Sequence, residues 1–280
     1  MKAASTRPIT AEFDFADDAL ERHWARLHQG DCEPYPAPAL LQALVAKHPR
    51  LAAPMPVEEA ARTLQEAWRA FHRGDFHAAE RLGLTLGCLG FNVANKAANI
   101  RATYQERGSK RKLATFEEAA ERAEKLQGVA SSLPNAWYLH AQALGRAAQH
   151  VSVVQALAEG TGGRVEASLK RTLQLEPRHA DAHIAFGAYH AEIIGKVGTM
   201  LGRLTYGVSS EAAIRHFEKA LRLNPGSAVA RIEYANALVT MFGDSRMDQA
   251  TRLYTEAAAC VPADATERLD VALAQSELAD

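Results

Sequence analysis

Cysteine is scarce in this chain and poorly placed for chemistry. Cys32, Cys88 and Cys260 are far apart, odd in number and form no CxxC pair, which argues against a disulfide framework and a structural zinc site. Aromatic residues make up only 7% of a sequence that is 48% hydrophobic. Alanine and leucine supply the difference, and that composition favours helices over strands. An excess of one charge is missing as well: the formal net charge is -1, so no global field draws nucleic acid or an anionic membrane. The one basic run, Lys110, Arg111 and Lys112, reads as a solvated turn between helices. No stretch is apolar for long enough to span a bilayer; the best, Ile193 to Leu204, is broken by Lys196 and Arg203. After Met1 and Lys2 the chain is polar and acidic where a secretory signal would carry its apolar core. The expectation is a cytoplasmic protein in a reducing compartment, with no membrane insertion and no nucleic-acid partner.

Catalytic signatures are missing too. HAE at His190 to Glu192 matches half of the zinc-deaminase pattern, but Cys260 and Pro262 stand in the wrong order for the other half. There is no HExxH and no GxSxG. Gly195-Lys196-Val197 lacks both the Ser or Thr and the preceding strand that a phosphate loop needs. Gly198 and Gly202, four apart, instead read as a close helix approach. His183, His190 and Glu192 share a stretch of helix and form the one cluster that could hold a metal. No cofactor is expected.

What the chain does contain is a repeated pair of helices. From His179 to Pro225, Phe186, Gly187 and His190 fall on one helical face, Ala213, Phe217 and Ala220 on the next, and Pro225 stops the second helix. Such a pair cannot bury its own apolar side and needs neighbours. Ala67, Trp68 and Phe71 turn at Gly74 and Asp75 into Phe76, Ala79 and Leu82. A looser pair spans Ala97 to Arg107 and Phe116 to Gln127. Trp137, Ala141 and Leu144 pair with Leu169 and Leu173; Tyr234, Ala235 and Leu238 pair with Ala250, Tyr254 and Ala257. The closing prolines Pro134, Pro177, Pro225 and Pro262 are spaced more widely than the ~34 residues of a plain tetratricopeptide repeat. The excess lies in two apolar, glycine-bearing inserts at about 148–163 and 191–209.

GDFHAAE, FEEAAERAEKL, GAYHAE and EAAIRHFEKALRLNP resemble tetratricopeptide (TPR) motifs. Residues 135 to 262, with the insert ending TYG, are most similar to the TRAP-transporter-associated TPR family (TatT) and the related regulator of microtubule dynamics family. The resemblance implies an all-α TPR-like solenoid of antiparallel helix pairs. Its parts would be a flexible N-terminus (1–13), an N-terminal helical hairpin (14–56) over the first repeat, repeats over 57–262, and a C-terminal capping helix (263–280). It also implies a non-enzymatic scaffold with a concave groove.

In that register Asn135, Tyr138, Gln142, Arg146, Glu192, Asn236 and Thr240 point into the groove, and the looser pair offers Asn95, Asn99 and Arg101. Their amides, phenol and guanidinium suit the main chain or carboxylate of an extended peptide. His183 and His190 stand where such repeats usually carry aromatics, so both can serve as packing groups; His190 is also a groove candidate. The leading expectation is a scaffold that takes a protein or peptide in the groove. The alternative is a small-molecule-binding protein whose pocket the apolar inserts close. A metal-dependent enzyme using His183, His190 and Glu192 is the third reading. A homo-oligomer paired through the inserts is also open.

Overall fold

The structure, a computed structural model, describes residues 13–279. Those residues form helices and connecting turns with no strand among them, as the alanine- and leucine-rich composition requires. In order the helices are α1 (Ala19–Leu27), α2 (Pro38–Lys47), α3 (Val57–Arg73), α4 (Phe76–Thr85), α5 (Phe91–Tyr104) and α6 (Ser109–Val129). There follow α7 (Pro134–Ala147), α8 (Val153–Ala158), α9 (Thr161–Leu175), α10 (Ala180–Val197), α11 (Thr199–Tyr206), α12 (Ser210–Leu223), α13 (Ala228–Phe242), α14 (Met247–Ala258) and α15 (Ala265–Glu277). None is long and apolar enough to cross a membrane. Lys110, Arg111 and Lys112 lie not in a turn between helices but in the first turn of α6, where Lys110 and Arg111 are exposed and Lys112 donates to the Thr103 carbonyl.

Helices that follow one another pack together: α3 on α4, α5 on α6, α7 on α9, α10 on α12 and α13 on α14. Local chemistry sets the boundaries. Gly74, at φ 91°, ends α3, and the Asp75 carboxylate accepts from the Ala78 N–H 3.0 Å away to start α4. Ser209, Ser227 and Asp264 cap α12, α13 and α15 in the same way. α10 starts on an imidazole: His179 Nδ1 accepts from the Ala182 N–H at 3.0 Å. Apolar faces then merge between neighbours, with Trp68, Phe71 and Phe76 in the first cluster and Phe217, Tyr234 and Leu238 in a later one.

Two features depart from an open array. Residues 14–56, expected as a hairpin over the first pair, divide instead. α2 lies along α3, while α1 and the turn after it enter the interior, where Trp24 stacks on His28 and meets Trp68 edge-on. At the other end α15, expected only to cap, returns to the first helices. Leu269 joins the α3 core, Asp264 meets His72 of α3, and Glu267 takes a bidentate bond from Arg26 of α1 at 2.7 and 2.8 Å. The first and last helices therefore touch, and the chain surrounds a central cavity.

One close crossing lies where sequence periodicity placed it. A Cβ on Gly187 of α10 would lie 2.7 Å from the Phe217 ring of α12, which is fully buried and stacked on Tyr234. Gly187→Ala should therefore cost about 1–3 kcal/mol by overpacking and lower the melting temperature by several degrees. An unchanged melting temperature would show that α10 and α12 do not cross at this point.

Candidate ligand cavity

Helices α5, α7, α10 and α13 turn their inner faces towards a cavity of about 500 Å³, with α15 on the remaining side. Residues 29–33 cross the starts of these helices and form its foot. The Gly30 carbonyl accepts from the Asp181 N–H at 3.0 Å, and Gln29 donates to the Leu223 carbonyl at 3.1 Å. Asn135, near the start of α7, donates to the Asp31 carbonyl at 3.0 Å and to Glu33 at 2.5 Å. Asn92, near the start of α5, donates to Glu33 at 3.0 Å. Helix N-termini carry partial positive charge, which suits an acidic segment here. Even so, burial and the neighbouring Asp31 push the Glu33 carboxyl up to about 7.

The inserts leave from the opposite helix ends, after α7 and α10, and form the mouth. Val153 and Leu157 of α8, Val165 of α9, Ile193 and Val197 of α10 and Tyr206 of α11 line it with carbon. The two inserts touch, since Gly162 lies against the Tyr206 ring. Their outer faces remain apolar in solvent: Val154 is 77% exposed, Met200 78% and Leu204 79%. The cavity is thus polar at its foot and apolar at its mouth.

A charged network ties the foot to the first and last helices. Asp31 accepts from Lys96 of α5 and lies 2.8 Å from His28 Nδ1. Asp264 lies 2.7 Å from His72 Nδ1, and the two Nε2 atoms of His28 and His72 are 3.2 Å apart. His28 and Lys96 hold Asp31 well below the usual carboxylate range despite its burial, and the hydrogen bond to His72 lowers Asp264. Each Nδ1 faces a carboxylate oxygen and donates to it. Burial lowers His28 to about 4, so its ring is neutral near pH 7. His179 is neutral by the same reasoning: its Nδ1 accepts from the backbone, its Nε2 donates to Asn135 at 2.8 Å, and burial lowers it to about 3.

Of the groove residues expected from the sequence, Asn99, Tyr138, Gln142, Arg146, Glu192 and Asn236 all line the cavity, as does Thr240. Asn99 donates to Gln142 at 2.8 Å and Gln142 to Tyr138 at 3.0 Å; Arg146 pairs with Glu233 at 2.7 Å. Four others do not line it. Asn135 is buried beneath the foot, donating to the Asp31 carbonyl and Glu33 and accepting from His179. Asn95 is fully buried under α6, accepting from Arg122 at 2.8 Å. Arg101 pairs with Glu80 and Glu106. His190 stacks on Phe186 and His216 and accepts from the Ser209 N–H at 3.2 Å, so it packs α10 against α12. The metal cluster is not assembled either. His183 faces His216, Glu192 turns to the cavity and pairs with Lys196, and no metal-holding group of His, Cys, Asp or Glu forms among the described residues.

Sequence reasoning missed Asp31, Lys96, Asp181, Asp264, Glu267 and Asp270, all of which line the cavity. Asp264 and Glu267 carried one readable local signal, acids at the cap and third position of a helix. The sequence matches no protein-family model and no curated protein.

Asp270 gives the cavity a measurable signature. It is 5% exposed, accepts from the Tyr104 hydroxyl, and burial raises its carboxyl to about 8. The folded state thus holds a proton that the unfolded chain releases near pH 4, so stability falls as pH rises towards 8. Between pH 6.5 and 8 this group contributes a loss of about 2 kcal/mol, and Asp270→Asn should remove that part of the slope. Denaturant unfolding at several pH values tests it; equal slopes in parent and variant would clear Asp270 as the cause.

Proposed function

We propose that this protein is a non-enzymatic, cytoplasmic member of the TPR-like solenoids that binds a small molecule in its central cavity. The observation that carries the reading is the cavity itself: about 500 Å³, walled by α5, α7, α10 and α13, with a polar foot and a mouth of apolar inserts. That size and lining suit a compact ligand with one polar and one apolar end. An extended peptide fits the geometry less well. Residues 29–33 occupy the foot, and α15 returns to α3, so no trough open at both ends remains. The polar groups read from the sequence as peptide contacts, Gln142, Arg146 and Asn236 among them, serve equally well to orient a bound molecule.

Nile red, a neutral dye that brightens in apolar surroundings, tests the reading. It should saturate at one dye per chain. Ala188 lines the cavity from α10, and Ala188→Trp, which fills the space, should reduce the signal at least tenfold while the variant still melts cooperatively. Dye binding that survives the tryptophan would assign the signal to the exposed faces of α8 and α11 and overturn the cavity reading.

A further inference from the structure

Most charges around the cavity have an assigned partner. Asp31 faces Lys96, Asp264 the histidine pair, Glu267 Arg26, Glu233 Arg146, and Glu192 Lys196. Asp270 is held protonated by burial. Asp181 is the exception. Its backbone N–H is taken by Gly30, and its carboxylate accepts no hydrogen bond from any described residue. The carboxylate lies directly over Gly30, where an added Cβ would fall 2.3 Å from Oδ1. Asp181 is only partly exposed, and a carboxylate so placed is left for solvent or a bound molecule to supply its donors.

A second observation points the same way. Asn99 is 1% exposed and Asn224 6%, both line the cavity, and the Oδ1 atom of each has no hydrogen-bond partner. The free carboxylate and the two amide oxygens are all acceptors, while the unpartnered Thr266 and Tyr189 hydroxyls on the same lining can donate or accept.

Taking the cavity as the ligand site proposed above, we infer that Asp181 seats a primary ammonium group on the bound molecule. The apolar part of the molecule extends towards α8 and α11. Burial already pushes the Asp181 carboxyl up to about 6, with Asp31 and Glu267 adding to the rise and Lys96 opposing it. A fixed cation beside it would reverse that shift. The ligand class is therefore a cationic amphiphile with a primary amine.

Calorimetric titration at pH 7.5 with 1-octylamine, 1-octanol and octanoate separates the contributions, because the three probes share one chain and differ in charge. The amine should bind at least tenfold more tightly than the alcohol, as a charge-assisted hydrogen bond implies, and octanoate most weakly. Asp181→Asn should bring the amine down to the level of the alcohol while leaving octanol unchanged, which also shows that the pocket is intact. Gly30→Ala, which displaces the carboxylate, should weaken the amine alone. Equal binding of amine and alcohol by the parent, or a preference that survives Asp181→Asn, would overturn the ammonium seat and leave the cavity reading standing. Binding of none of the three would overturn both.

Discussion

Ionised groups buried where α1, α3, α5 and α15 meet are the constraint on which the rest of this structure depends. Asp31, Lys96, His28, His72 and Asp264 partner one another, yet each ionised group alone would be expensive to bury. Removing one member strands the others, which typically costs about 3–5 kcal/mol. The same set adds little net stability compared with an apolar core of equal volume. What it does is select an arrangement. Asp31 can meet Lys96 only if residues 29–33 lie under α5, and Asp264 can meet His72 only if α15 returns to α3. The foot of the cavity and its last wall both follow.

The polarity of the cavity has a geometric origin. The helices that wall it begin at the same end, so their N-termini gather where Asp31 and Glu33 cross. Both inserts branch from the far ends of α7 and α10, so their apolar residues gather at the mouth. One arrangement of helices thus divides the space into an acceptor-rich half and a hydrocarbon half. No single residue has to create that division.

Much of this was legible in the sequence because it is local. The small-residue crossing at Gly187 and Phe217, the turn at Gly74 and Asp75, and the inward face carrying Tyr138, Gln142 and Arg146 all follow from the 3.6-residue period and from capping chemistry. Asn95 failed because it shares a face with Asn99 but sits at its edge, under α6, where Arg122 claims it. His190 had a packing reading and a groove reading, and its stacking on Phe186 and His216 decides for packing. The charged foot was illegible for a different reason. Asp31 and Asn135, or His72 and Asp264, meet across more than a hundred residues with no shared pattern, and residues 29–33 fell inside the stretch expected only as a hairpin over the first pair. Periodicity predicts which way a side chain points; it does not predict which distant segment will lie there.

The contact of α15 with α1 and α3 also changes how the molecule should come apart. In an open row of repeats each unit touches only its neighbours, so melting can begin at an end and travel inward. Here the terminal units brace each other, and Arg26, His72 and Tyr104 are all engaged by the last helix. Among the described residues, neither the first nor the last helices are left without a partner from the other end. Loss of the fold becomes a single collective event rather than a peeling, as in a small globular domain, although the wall is made of serially stacked helices.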